Sequence, residues 1–248
     1  MVALAPNGRH QLMPTSRPQA TIPPVFAETL PAVARLQPIL AASVTVVPAG
    51  TRLYRAVRHL AAVIPPFVTR TYRFGPPDDL RAADGQYPFY WLYAAQDLYT
   101  ALWEAEFCCN DITQPGTFYI PDAVAEQGLI AEFTLRVDVP LVDLAGTALS
   151  KLGIYDRISA EHAWCQWFGV RLDAVLTAWP EPGRPLGFRY PSRRHRNHNA
   201  LAIHSQALEQ WRKSTAVRVV PFAEMPHFEL LRADPNYAAP LPGGFSFE

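Results

Sequence analysis

Two rhythms of apolar residues run along this chain, one alternating and one recurring every three or four positions, and they predict different elements. Residues 25–42 carry Phe26, Leu30, Val33, Leu36, Ile39 and Leu40 at helical spacing, interrupted by prolines, which predicts one or two short helices. Residues 44–47 are β-branched and closed by Pro48-Ala49-Gly50, so they predict a short strand, and residues 53–57 (LYRAV) predict another. A connecting region with five prolines and two glycines follows at 65–88. The aromatic, almost uncharged run at 87–94 (YPFYWLYA) suits a buried strand. Asp97 then opens a helix with Leu98, Ala101, Leu102 and Ala105 on one face. Residues 128–138 (GLIAEFTLRVD) alternate as a half-buried strand does, and 140–144 form a further apolar segment. A helix is predicted over 159–168, with Ala163, Trp164, Trp167 and Phe168 inward, and apolar residues 170–176 follow it. After a Gly/Pro-rich stretch at 180–187, strands are expected at 188–192 and 199–204 around a basic turn, and a last one at 218–222.

Short strands with few helices between them predict an α+β fold rather than a regular βαβ winding. The chain contains no internal repeat and no compositional break in its body. The division expected is a Pro-rich N-terminal extension with short helices over 1–45, one domain over 46–225 and a loop-like tail over 226–248. Composition narrows the function classes. The 22 basic and 22 acidic residues cancel and the pI is about 7.1, so nothing drives the chain globally toward nucleic acid or an anionic membrane. Cys108, Cys109 and Cys165 make an odd count with two neighbours, a poor disulfide framework, which suggests a reducing cytosol. No apolar run approaches the length of a membrane span, and the first residues lack a basic-then-apolar leader, so the expectation is a soluble, cytoplasmic protein. GxGxxG, the P-loop motif and CxxC are all absent, which removes the strongest arguments for a Rossmann cofactor, a phosphate-cradling loop or a zinc ribbon.

Three constellations could carry chemistry. Arg55, Arg73, Tyr93 and Glu104 fall in or beside apolar segments. Guanidinium groups bind phosphate oxygens bidentately, a tyrosine ring offers a stacking face, and a carboxylate in an apolar site stabilises an oxocarbenium-like centre. The bland alternative is a buried Arg55–Glu104 salt bridge beside a core Tyr93. His195 and His198, three residues apart in SRRHRNHN, could share a metal, but no carboxylate or cysteine lies near them in sequence, and a solvated basic loop that helps to hold phosphates is the simpler reading. No metal is therefore expected. Cys165 with His162 on one helical face could form a nucleophile pair, although Cys165 among tryptophans reads more simply as a buried hydrophobe.

Several of these residues recur in the order of a known family. Tyr54-Arg55 in a strand, Arg73-Phe74-Gly75-Pro76 after a loop, and Tyr93 followed eleven residues later by Glu104 in LYAAQDLYTALWEAEF make three motifs. A late Pro191-Ser192 with Asn199 makes a fourth. The arrangement resembles the RES domain, the toxin half of RES–Xre toxin–antitoxin pairs, over roughly residues 50–222. The chain departs from the family pattern at Phe74-Gly75, where Trp-Asn is usual, and at Ala56, where some members carry tyrosine. The resemblance implies a fold like that of ADP-ribosyltransferase toxins, with mixed sheets and flanking helices, and NAD as a substrate rather than a cofactor. It implies cleavage of the nicotinamide–ribose bond by hydrolysis or phosphorolysis, or transfer of ADP-ribose to a protein. Carried over, Arg55 and Arg73 hold the phosphates, Tyr93 stacks on nicotinamide, Glu104 stabilises the ribosyl cation, Ser192 supplies a hydrogen bond and Asn199 helps to bind NAD. The 162–166 segment is the alternative for the serine's side of the pocket. An Xre-like antitoxin is the implied partner, leaving any DNA contact to that protein.

Overall fold

The computed structural model describes residues 21–239. Residues 1–20 of the N-terminal extension and the last nine residues of the tail lie outside the described residues. A short helix α1 (Pro24–Ala27) leads to α2 (Val33–Ala41), and then come β1 (Val44–Val47) and β2 (Arg52–Val57). The proline-rich connection ends at β3 (Trp91–Ala95), which feeds α3 (Leu98–Glu104). A small hairpin of β4 (Cys109–Asn110) and β5 (Phe118–Tyr119) precedes α4 (Asp122–Gln127). Strands β6 (Leu129–Leu135) and β7 (Val139–Asp143) are followed by α5 (Ala148–Leu152), α6 (Tyr155–Ala160) and the long α7 (His162–Thr177). The chain closes with β8 (Gly187–Pro191), β9 (Asn199–His204), α8 (Leu208–Ser214), β10 (Thr215–Pro221) and α9 (Pro226–Arg232).

Eight strands form one mixed sheet in the order β1-β7-β8-β9-β3-β2-β6-β10, in which β7 and β8 are parallel and the other pairs antiparallel. Helices pack against it, which makes the expected α+β class correct. Alternation sends successive side chains to opposite faces. Trp91, Phe188, Tyr190, Ala200 and Ala202 meet α2 and α5 to α7, whereas Leu53, Leu92, Phe133, Leu201 and Ile203 meet Trp211 of α8. A third cluster joins α3 to α9 through Leu102, Phe107, Phe222 and Phe228. The seam that matters most lies between β2 and β3. They share a single pairing, Tyr54 opposite Ala95, whereas β3 pairs with β9 over its whole length. The sheet therefore forks at this seam.

The structure corrects two expectations. The stretch 226–232 is a helix, not a loop, because Phe228 and Leu231 one turn apart can both be buried against the α3 side of the sheet. Within the segment read as an extension with short helices, Leu36 and Leu40 of α2 are fully buried in the core, and the adjoining β1 is the edge strand beside β7. Finally, 162–177 is one continuous helix through Gly169, where two segments were expected. Gly169 stays because a Cβ there would meet the Phe74 carbonyl oxygen at 1.8 Å. Among the described residues no helix is long and apolar enough to cross a membrane.

Candidate active site

The chemistry-bearing residues converge where α3 ends against the β8–β9 connection. Glu104 is the last residue of α3, and its Oε1 accepts a 2.5 Å hydrogen bond from the Ser192 hydroxyl, 88 residues away in sequence. Its Oε2 lies 3.5 Å from the Tyr190 hydroxyl. Burial, and then the Glu104 charge, hold the Tyr190 phenol well above its usual value, so it stays protonated and donates. Ser192 is itself fixed, because its Oγ accepts the backbone N–H groups of His195 at 2.9 Å and Arg194 at 3.2 Å. The carboxylate thus carries one hydroxyl on each oxygen, a polar pair at the edge of an aromatic wall.

That wall is built from Tyr190, Phe74 and Tyr93. Tyr190 packs edge-on to Phe74, with ring centroids 5.0 Å apart, and to Tyr93 at 6.2 Å. The Tyr93 hydroxyl accepts the Phe74 N–H at 3.2 Å, and Trp91 Nε1 donates to the Phe74 carbonyl at 2.6 Å. Burial raises the Tyr93 phenol far above its usual value. A shallow cleft with a cavity volume of about 10 Å³ lies beside this wall, lined by Thr71, Tyr72, Gly75, Trp91 and Tyr93 among others.

Arg73 sits over the wall with its Cζ 4.9 Å from the Phe74 ring centroid and 5.8 Å from that of Tyr190. The residue is 7% exposed, and Nε, Nη1 and Nη2 are all buried without a hydrogen-bond partner among the described residues. A buried guanidinium with no acceptor is costly, so it calls for an anion. Arg55 behaves differently. Its Nε donates to the Ala62 carbonyl at 3.1 Å and its Nη1 to the Tyr93 carbonyl at 2.8 Å, which braces the β2–β3 fork. Desolvation lowers its pKa to about 10 despite the opposing fields of Tyr72, Tyr93 and Tyr190. The alternative Arg55–Glu104 salt bridge does not form among the described residues, and Arg55 is a bracket for two backbone carbonyls. Asn199 opens β9 opposite Pro191, one strand pairing from Ser192, and its side chain makes no hydrogen bond among the described residues.

The histidine pair does find a carboxylate, from 98 residues away rather than nearby. His198 Nδ1 lies 3.1 Å from Asp97 Oδ2 and His195 Nδ1 lies 3.6 Å from Asp97 Oδ1, so the three ligand atoms form a compact group. The rings nevertheless stack 3.8 Å apart and 7° from parallel, so their in-plane lone pairs run side by side and do not converge on one ion. Asp97 already caps α3 by accepting the Thr100 N–H at 2.8 Å and the Thr100 hydroxyl at 2.5 Å, and that hydroxyl contacts His195 Nδ1 at 2.7 Å. With the Arg194–Glu106 ion pair at 2.6 Å, these contacts pin segment 192–198 along the length of α3. The cysteine–histidine pair fails as a nucleophile: Cys165 is 1% exposed, its Sγ donates to the Ile158 carbonyl at 3.3 Å, and burial raises the thiol.

Sequence reasoning missed Tyr190 and Asp97. A tyrosine in an aromatic strand reads as core, whereas Asp97 carried a signal as a helix N-cap but gave no hint of its distant histidines. A protein-family model described as the RES domain matches residues 52–223, well over half of the chain. No curated protein and no solved structure matches the chain.

Proposed function

The chain belongs to the RES domain family, a family linked to NAD-acting enzymes, and from that premise we propose that it cleaves the nicotinamide–ribose bond of NAD. The observation that carries the reading is the Glu104 carboxylate, held on both oxygens by hydroxyls and bordered by an unpartnered buried cation and an aromatic wall. In the proposed reaction the C1′–N bond breaks and its electron pair leaves with nicotinamide, which becomes neutral. The positive charge moves to the ribose as an oxocarbenium ion. Glu104, fixed before the charge appears, stabilises that ion without reorganising. Ser192 and Tyr190 keep the carboxylate aimed, and Tyr93 with its neighbours offers the apolar face for nicotinamide. Arg73 takes a phosphate of the substrate, which supplies the acceptor its guanidinium lacks. Asn199, at the start of β9, lies close enough to Ser192 to contribute to NAD binding. The acceptor is water or phosphate, which loses a proton as it bonds to C1′; a protein side chain in that place would give ADP-ribosyl transfer.

An enzyme that drains NAD endangers its own cell, so we propose also that an Xre-like inhibitor protein covers the site. Incubating the purified protein with NAD, with and without phosphate and with a bacterial lysate, and separating the products by chromatography tests the reading. Free nicotinamide should appear, with ADP-ribose or its 1-phosphate as co-product. Undiminished NAD under all three conditions would refute it.

A further inference from the structure

Arg73 cannot by itself satisfy a diphosphate, and Arg55 is tied to two carbonyls, so the second half of a phosphate clamp must come from elsewhere. Two other elements approach Arg73. The first is α7, whose opening turn has no side-chain cap. The helix is drawn onto the Arg73 segment just beyond this turn by the Gln166–Thr71 hydrogen bond at 3.3 Å and by the close passage of Gly169 past the Phe74 carbonyl. The second is the turn after Ser192, which the Ser192–Glu104 bond fastens to the site and which begins with Arg193. No hydrogen bond or ion pair among the described residues engages the Arg193 side chain.

These elements act on one another as a group of cations. Desolvation, then Arg73 and Arg194, lower the Arg193 pKa against the pull of Glu104. Desolvation, then Arg193 and Arg73, lower that of His162, the first residue of α7. Arg73 and Arg193 also oppose the burial that raises Cys165, one turn further on. The Ser192–Glu104 and Gln166–Thr71 bonds bring the Arg193 turn and the sixteen-residue α7, opened by His162, to the Arg73 segment, and Arg73, the most buried of these cations, has no hydrogen-bond acceptor among the described residues. Glu104, which acts on this group, is already held by two hydroxyls, so the gathered cations have room for a further anion.

We infer that Arg193, His162 and the first turn of α7 complete, with Arg73, a diphosphate-binding site. For its biological ligand the inference rests on the NAD reading above. The anion site itself rests on the geometry. The diphosphate would bridge from the buried Arg73 to the exposed Arg193, so Arg193 fills the place that the sequence motif gives to Arg55.

The probe is inorganic pyrophosphate, measured by calorimetry against the full chain carrying Glu104→Gln, with orthophosphate as comparison. Pyrophosphate should bind at least tenfold more tightly than orthophosphate, and Arg193→Gln should weaken it at least tenfold. Arg196→Gln, on the same turn and without these neighbours, should leave it unchanged. Equal binding of the two anions would overturn the diphosphate assignment. An Arg193→Gln protein that binds as its parent does, or an Arg196→Gln protein weakened just as much, would overturn the role of Arg193. The readout does not involve turnover, so pyrophosphate binding without NAD cleavage would sink the enzymatic reading and leave the anion site standing.

Discussion

Glu104 has two carboxylate oxygens, and each faces a hydroxyl of different strength. The Ser192 bond is short, whereas Tyr190 stands at the edge of hydrogen-bonding distance. Losing Ser192 should therefore matter more. Ser192→Ala is expected to lower kcat for NAD roughly 10- to 100-fold with KM changed less, since the contact aims a group that acts in the transition state. Steady-state kinetics would check this, and a rise in KM alone would assign Ser192 to uniform binding. Most of this geometry was legible in the sequence as a list of residues but not as a set of contacts. In the sequence Arg55 and Arg73 are each an arginine in or beside an apolar segment, and the motif around Arg73 departs further from the family pattern. Whether a guanidinium meets backbone carbonyls or nothing at all depends on the β2–β3 fork, a feature of pairing register that no local pattern encodes.

At the level of elements, the site depends on α7 and α3 keeping their places. Gly169 lets α7 run against the Phe74 carbonyl, so Gly169→Ala should force that backbone aside. The expected cost is about 1–3 kcal/mol in chemical denaturation, with KM for NAD raised because Arg73 rides on the displaced segment. Unchanged stability would show that the approach is looser than described. The cap of α3 makes a second prediction. Burial raises the Asp97 carboxyl, but the Thr100 hydrogen bonds and the His198 and His195 charges outweigh it and hold the group below its usual 3.8. A group depressed in the folded state adds stability above 3.8 and loses it as the pH falls through the lowered value. His195 is also lowered from 6.5, by desolvation and then by His198, so acid begins to act on stability below pH 6.5. Asp97→Ala should cost about 1 kcal/mol at neutral pH and flatten the pH dependence of Tm below pH 4. An Asp97→Ala profile parallel to that of the parent would contradict this. The strands and α3 were readable from their periodicity. The comparably short α5, α6 and α8 were not, because they lack a side-chain cap like Asp97 at the start of α3, and packing against the sheet decides them.

For the molecule as a whole, the eight-stranded sheet and its forked seam gather residues from β2 to β9 around one carboxylate, and a neutral chain leaves recognition of anions to local clusters. The expected phenotype follows from the proposed reaction. Expression in a bacterial host without the proposed Xre-like inhibitor should arrest growth as cellular NAD falls, and co-expression of that inhibitor should restore both. Normal growth at high expression with steady NAD would remove the toxin reading. The most direct measurement is turnover of NAD by the purified Glu104→Gln protein beside its parent, followed by release of nicotinamide on chromatography. Gln keeps the shape of the side chain and removes its charge, so the account predicts a loss of roughly a hundredfold or more in kcat, with an unchanged unfolding transition. Near-full activity in a folded Glu104→Gln protein would contradict it.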